Sequence, residues 1–148
     1  MLAIAFQVGD HALALPASRV VELLPRRSLR PIAMAPEGVI GLLPFRGALV
    51  PVVDLCQLAL GRDSRPLRST RLIVVSLPQG DGQRLVGLLA ESVLDLVTLG
   101  DTLPGLPVAG APWLGEHLAG SPGMPQLVDP MQLLPVELAA LYQEVAPA

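Results

Sequence analysis

Residues 38–55 of the 148-residue chain have the sequence GVIGLLPFRGALVPVVDL. Two mostly apolar runs flank a short Phe-Arg-Gly break, a pattern that predicts two strands joined by a tight turn. The turn carries a single cation, Arg46, among apolar neighbours. Asp54 follows the second strand, and Gln57 and Gly61 stand where a short helix needs its third residue and its terminal glycine. The stretch therefore predicts a hairpin that ends in a capped helical turn.

The order of segments around this stretch recurs in the second half of the chain. Further strands are predicted at residues 2–8, 11–15, 20–24 and 72–75, and residues 87–96 correspond to residues 14–23, with 93–96 matching 20–23. Asp129 repeats the capping position of Asp54, with a glutamine again three residues later. The repeat predicts two strand-rich units, approximately residues 1–61 and 70–134, which are partly intertwined.

The last third of the chain has a different composition. Residues 99–124 are dense in Gly and Pro, which predicts a long loop with one strand near 113–118. Pro135 opens a predicted C-terminal helix, residues 135–145, whose apolar positions recur at i, i+3, i+4 and i+7. Residues 1–148 are thus predicted to form a single all-β domain with short helical turns and a C-terminal helix.

The composition favours an interaction module. Apolar residues make up 51% of the chain and charged residues only 16%, so we expect apolar surface to stay exposed, as is typical of proteins that bind other proteins. The chain has one cysteine, no basic leader at its N-terminus and no apolar run of membrane-spanning length. We expect a cytoplasmic protein that does not insert into the membrane.

Two other classes of function fit the sequence less well. A barrel that binds single-stranded nucleic acid would use the loose arginine clusters at residues 19–30 and 62–71, but the chain has only four aromatic residues for stacking. These arginines are better interpreted as solvated loop residues. A thiol-dependent enzyme would need Cys56 beside His11 or His117, yet Cys56 falls in an apolar helical turn typical of a small core residue. No metal-ligand spacing or cofactor motif is present, so no metal or cofactor is predicted.

The central stretch resembles the CheW family of bacterial chemotaxis coupling proteins. Members typically carry Gly-Val-x-Asn-Leu-Arg-Gly followed by Val-Pro-Val-Val-Asp-Leu. The match here runs from Gly41 to Gly47 and from Val50 to Leu55, with Pro44-Phe45 in place of Asn-Leu. That departure points to a variant chemosensory pathway, such as surface sensing of the Wsp type.

The resemblance implies both a fold and a function. The fold would be two packed five-stranded SH3-like β-barrels. The function would be that of a non-enzymatic adaptor that couples chemoreceptors, the methyl-accepting chemotaxis proteins, to the regulatory domain of a CheA-like histidine kinase. It would work in the cytoplasm, associated with membrane-bound receptor complexes.

The resemblance also implies which residues bind partners. Glu22 and Arg46 match family positions near partner-binding surfaces, and Val20 and Gly47 are their weaker neighbours. We expect Glu22 and Arg46 to lie on neighbouring strands and to form a surface ion pair that presents Arg46 to a partner.

Overall fold

A computed structural model describes residues 2–79, 81–94, 96–98, 102–103, 113–118 and 125–133. Within these residues the chain forms eleven strands, one α-helix and two 3₁₀ turns, which confirms the all-β prediction. The strands are β1 (Leu2–Val8), β2 (His11–Pro16), β3 (Val20–Pro25), β4 (Val39–Phe45), β5 (Ala48–Asp54), β6 (Arg71–Gln79), β7 (Gly82–Ala90), β8 (Leu96–Thr98), β9 (Thr102–Leu103), β10 (Leu114–Leu118) and β11 (Gln126–Val128). The helix α1 is Leu55–Leu60, and the 3₁₀ turns are Ala17–Arg19 and Pro130–Gln132. The predicted helix 135–145 lies outside the described residues.

The strands form two sheets that each combine early and late parts of the chain. The six-stranded sheet has the order β8-β1-β2-β11-β10-β9, and the five-stranded sheet has the order β3-β6-β7-β5-β4. Neighbouring strands are antiparallel except for the parallel pairs β2–β11 and β5–β7. The division into two units at residues 61–70 stays a prediction.

The five-stranded sheet is buried on both faces. Along β6, Ile73, Val75 and Leu77 pack into the larger core between the sheets, whereas Leu72 and Val74 pack into a second, smaller core. Side chains alternate between the faces of a strand, so a strand with two buried faces needs a continuous apolar run. Much of the apolar surplus that predicted an exposed surface is therefore buried in the second core.

A bend separates β7 from β8. β7 ends at Ala90, Ser92 takes a positive φ of 48°, and β8 begins only at Leu96. The bend lets Leu94 N–H donate to the carbonyl of Ala5, and Glu91 pairs with Gln7 through two backbone hydrogen bonds. These bonds tie the end of the five-stranded sheet to β1 of the six-stranded sheet.

The two predicted aspartate caps are both present but differ in their surroundings. The carboxylate of Asp54 is buried and accepts from the backbone N–H groups of Cys56 and Gln57 and from both the N–H and the hydroxyl of Ser64. Asp129 is exposed and accepts one bond, from Met131 N–H, at the start of a 3₁₀ turn. Asp54 thus holds the 61–70 loop as well as the helix.

The predicted capping box at α1 is incomplete. The side chain of Gln57 donates to the carboxylate of Asp63, and the N–H of Asp54 is bound instead by the carbonyl of Gly38. Gly61 ends the helix in the left-handed conformation, as predicted.

The contrast between the caps gives the first testable prediction. Asp54→Ala should lower the free energy of unfolding by about 2–4 kcal/mol, because it removes a cap and leaves buried N–H donors unpaired. Asp129→Ala should cost only about 0.5–1 kcal/mol, because water can replace its single exposed bond. Urea denaturation of both variants measures the difference. Asp54→Asn, which keeps an oxygen acceptor, serves as the control, and equal losses for the two alanine variants would contradict the assignment.

Candidate partner-binding surface

The β4–β5 hairpin closes with a two-residue turn at Arg46 and Gly47. Phe45 pairs with Ala48 across the turn, and both turn residues have positive φ, 49° for Arg46 and 80° for Gly47. This is the type I′ geometry that matches the twist of the flanking strands. It favours Gly at the second position, but an arginine at the first position costs roughly 1 kcal/mol of backbone strain.

The substitution of Pro44 for the family's asparagine fits an edge strand. Residues next to a two-residue turn exchange hydrogen bonds across the hairpin, so the alternate residue Pro44 directs its nitrogen away from β5. β4 is the edge of its sheet, where a missing N–H leaves no ladder bond unmade. The proline also protects this edge from unwanted strand pairing.

The guanidinium of Arg46 lies on the surface, held by two weak contacts. It stacks over the ring of Phe45 at 4.7 Å and lies 3.8 Å from the carboxylate of Glu22. The Arg46 side chain is 64% exposed and that of Glu22 is 41% exposed, so the ion pair contributes only about 0–1 kcal/mol. The predicted ion pair is present, and most of the cation remains available to a partner.

The sequence predicted that Glu22 and Arg46 lie on neighbouring strands. This prediction is wrong. β3, which carries Glu22, and β4 are opposite edges of the five-stranded sheet. Arg30, a few residues after β3, forms two 2.8 Å backbone hydrogen bonds with Leu42 of β4. The chain leaving one edge strand is thereby joined to the other edge of the sheet.

The remaining predicted site residues occupy different environments. Val20 is half-buried and packs against the larger core, beside a bulge that shifts the pairing between Val20 and Glu22. Gly47 is exposed, and a β-carbon there would meet no atom within 4 Å. Its positive φ, rather than crowding, therefore calls for glycine.

Sequence reasoning missed a buried carboxylate that organises the 61–70 loop. The side chain of Glu91 is 1% exposed and accepts from Arg62 through Nη1 and Nη2, each at 3.1 Å. It also accepts from the backbone N–H of Arg65 at 2.7 Å and from its Nε at 3.1 Å. Arg62 and Arg65 are partly exposed loop residues, as expected, but their guanidinium groups also pair with a buried carboxylate, which the sequence interpretation did not include.

These contacts fix the charge of Glu91. Hydrogen bonds from the Arg62 guanidinium, joined by those from Arg65, outweigh burial and lower the pKa of Glu91 from 4.5 to about 2. The pKa of Arg62 is raised by the same pairing. The only sign of this cluster in the sequence is an acidic residue directly after a buried strand. Its two arginine partners lie 26 and 29 residues away along the chain.

The described residues offer little to the rival functions. Cys56 is fully buried, and burial raises the pKa of its thiol, which disfavours a nucleophilic thiolate. Phe6, Phe45 and Trp113 are buried and present no stacking face to a nucleic acid. In the described ranges, no group of His, Cys, Asp or Glu could hold a metal, and no helix is long and apolar enough to cross a membrane.

Comparison with known families decides the classification. The family model of the CheW-like domain matches residues 3–133. The chain belongs to the CheW-like domain family. The Arg46 turn and the Glu91 cluster both lie within the matched CheW-like region.

Individual relatives agree with the family assignment. Protein FrzA of Myxococcus xanthus is 33% identical over 78% of this chain and 69% of its own length. Chemotaxis protein CheW of Rhizobium meliloti is 33% identical over 66% of this chain and 61% of its own length. The scaffolding protein TtCheW of Thermoanaerobacter tengcongensis has the same fold, with a TM-score of 0.73 at 20% identity, over 86% of this chain and 82% of that one.

The low pKa of Glu91 predicts acid-dependent stability. An unfolded carboxyl takes up a proton near pH 4.5, whereas folded Glu91 resists protonation down to about pH 2. The unfolded state therefore binds more protons between these values, and the stability from Glu91 is lost as the pH falls through that window. Glu91→Gln should lower the free energy of unfolding at pH 6 by about 2–3 kcal/mol, and the deficit should shrink toward pH 3.

Denaturation with urea at several pH values from 6 to 3 measures this difference. Glu37→Gln is the matched control, because Glu37 is exposed and forms none of the described ion pairs. A deficit for Glu91→Gln that stayed constant across the pH range would contradict the assigned role of its charge.

Proposed function

We propose that this chain is a non-catalytic adaptor that couples chemoreceptors to a CheA-like histidine kinase, and that the Arg46 turn is one of its contact surfaces. Membership of the CheW-like family supports the general role. The observation that carries the residue-level proposal is the exposed arginine in a left-handed turn position, where glycine or asparagine would be less strained. A strained residue that contributes little to folding is a candidate for function.

The surface around Arg46 suits a protein partner. The side chains and backbone of Arg30, Pro44, Phe45, Arg46 and Leu49 line a shallow depression beside the turn. It combines apolar walls with two guanidinium groups, and arginine and aromatic residues are enriched at the energetic centres of interfaces. Glu22 holds Arg46 from one side without burying it. We assign Glu22, Arg46 and Gly47 to this surface, and Val20 to its support from the core.

The proposal predicts that binding and stability respond separately to changes at Arg46. Arg46→Gly should leave thermal stability unchanged or slightly higher, because it relieves positive-φ strain while losing only weak contacts. Both Arg46→Gly and Arg46→Glu should weaken association with the kinase or with the receptor by at least roughly tenfold, since truncating a desolvated charge at an interface can cost 2–5 kcal/mol. Calorimetric titration against each partner measures the effect.

Two further variants separate recognition of Arg46 from the ion pair itself. Arg68→Glu, at an exposed loop position, makes the same charge change away from the turn and should bind normally. The exchange of both charges, Glu22→Arg with Arg46→Glu, preserves a pair but moves the cation to β3 and should not restore binding. Wild-type affinity of Arg46→Glu for both partners would show that the turn is not an interface.

A further inference from the structure

Two consecutive arginines flank one side of an apolar crevice on the five-stranded sheet, at the end of β3 away from Val20. The crevice has a volume of about 100 Å³ and is lined by Arg26, Arg27, Leu29, Ile40, Leu72 and Leu89. We name these six residues the arginine-rimmed crevice. Apolar cavities of about 150 Å³ are large enough to hold benzene, so this space can take one aliphatic side chain.

The cations at the rim lack acidic partners among the described residues. Ion pairs in that part of the chain involve Arg46, Arg62 and Arg65, and none involves Arg26 or Arg27. The rim therefore carries uncompensated positive charge beside an apolar floor.

One of the two rim arginines, Arg26, is connected through the 61–70 loop to the buried Glu91 cluster. Arg26 donates through Nη2 to the carbonyl of Pro66 at 3.3 Å. Pro66 follows Arg65, whose backbone N–H and side chain are bound by Glu91. Thr70 also donates its hydroxyl to the carbonyl of Arg65. The loop that supports Arg26 is thus anchored before any ligand arrives.

The side of the crevice away from the arginines adjoins a polar cleft. Ile40 and Leu89 separate it from a polar cleft that contains Asp54 and Asp63. The Asp54 carboxylate is occupied by Ser64 and the helix N-terminus, and that of Asp63 accepts from Gln57. A ligand crossing Ile40 and Leu89 would meet negative charge there, so its own acidic groups belong on the arginine side only.

We propose that the arginine-rimmed crevice docks an acidic segment of a partner protein, with one aliphatic anchor side chain in the crevice and carboxylates on the arginine side of that anchor. The anchor covers Leu29 and Ile40, the partly exposed apolar residues of the crevice, and the guanidinium groups bind carboxylates through paired N–H donors. A small phosphate ligand would satisfy the arginines but leave the floor uncovered. This surface is distinct from the Arg46 turn, so its occupation does not depend on Arg46.

Selection from a displayed library of random twelve-residue peptides tests the proposal. The full chain is the target, and peptides that also bind the Arg27→Glu variant are removed. The surviving peptides should carry a Leu, Ile or Met anchor with Asp or Glu on one side of it. Recovery of no Arg27-dependent peptides, or of peptides without an acidic and an aliphatic residue, would overturn the proposal.

Fluorescence anisotropy of one selected peptide then separates the contribution of Arg27 to binding from that of the peptide's aliphatic anchor. Arg27→Glu should weaken binding at least tenfold, whereas Arg19→Glu, the same change at the other end of β3, and Arg46→Glu should change it less than twofold. Replacing the peptide's anchor by Ala should also weaken binding at least tenfold, which tests the crevice without altering the fold. If the Ala peptide bound as tightly as the selected peptide, charge alone would explain the interaction, and this result would contradict the assignment.

Discussion

A carboxylate removed from water costs several kcal/mol unless hydrogen bonds and opposite charges replace its hydration. Glu91 meets this condition at the point where the two sheets join, with its backbone bound to Gln7 of the six-stranded sheet. Its side chain reaches into the 61–70 loop and binds Arg62 and Arg65, which are themselves partly exposed. One buried acid therefore links the sheet junction and the loop, and it directly precedes the bend at Ser92.

The five-stranded sheet accounts for much of the apolar composition of the chain. β6 and β7 send side chains into cores on both faces, so they contain few of the alternating polar residues typical of a one-sided sheet. Close packing also requires glycine at position 87 of β7, because a β-carbon there would lie 2.9 Å from Val52 on the parallel neighbour β5. Some large apolar side chains remain exposed among the described residues, Met34 and Leu94 among them.

Local signals predicted local structure well. The Arg46 turn, the Asp54 cap, the Gly61 terminus and the strand near residue 114 follow from patterns within a few residues, and the structure contains all four. The contacts of Glu91 could not be predicted in this way, because its partners lie more than twenty residues away. The positions of β3 and β4 at opposite edges of the sheet could not be predicted either, since sequence order does not reveal which strands become neighbours.

The absence of lysine gives the arginines distinct physical roles. Arg62 and Arg65 form the forked, bidentate contacts that a lysine ammonium cannot reproduce, so they serve the fold. The Arg46 guanidinium lies over the ring of Phe45, and most of the side chain remains exposed. Arg26 donates to a backbone carbonyl and retains further donors for a ligand. Planar, multiply donating cations can thus be held by the protein and still present hydrogen-bond donors outward, which suits a chain whose surfaces are built for contact with other proteins.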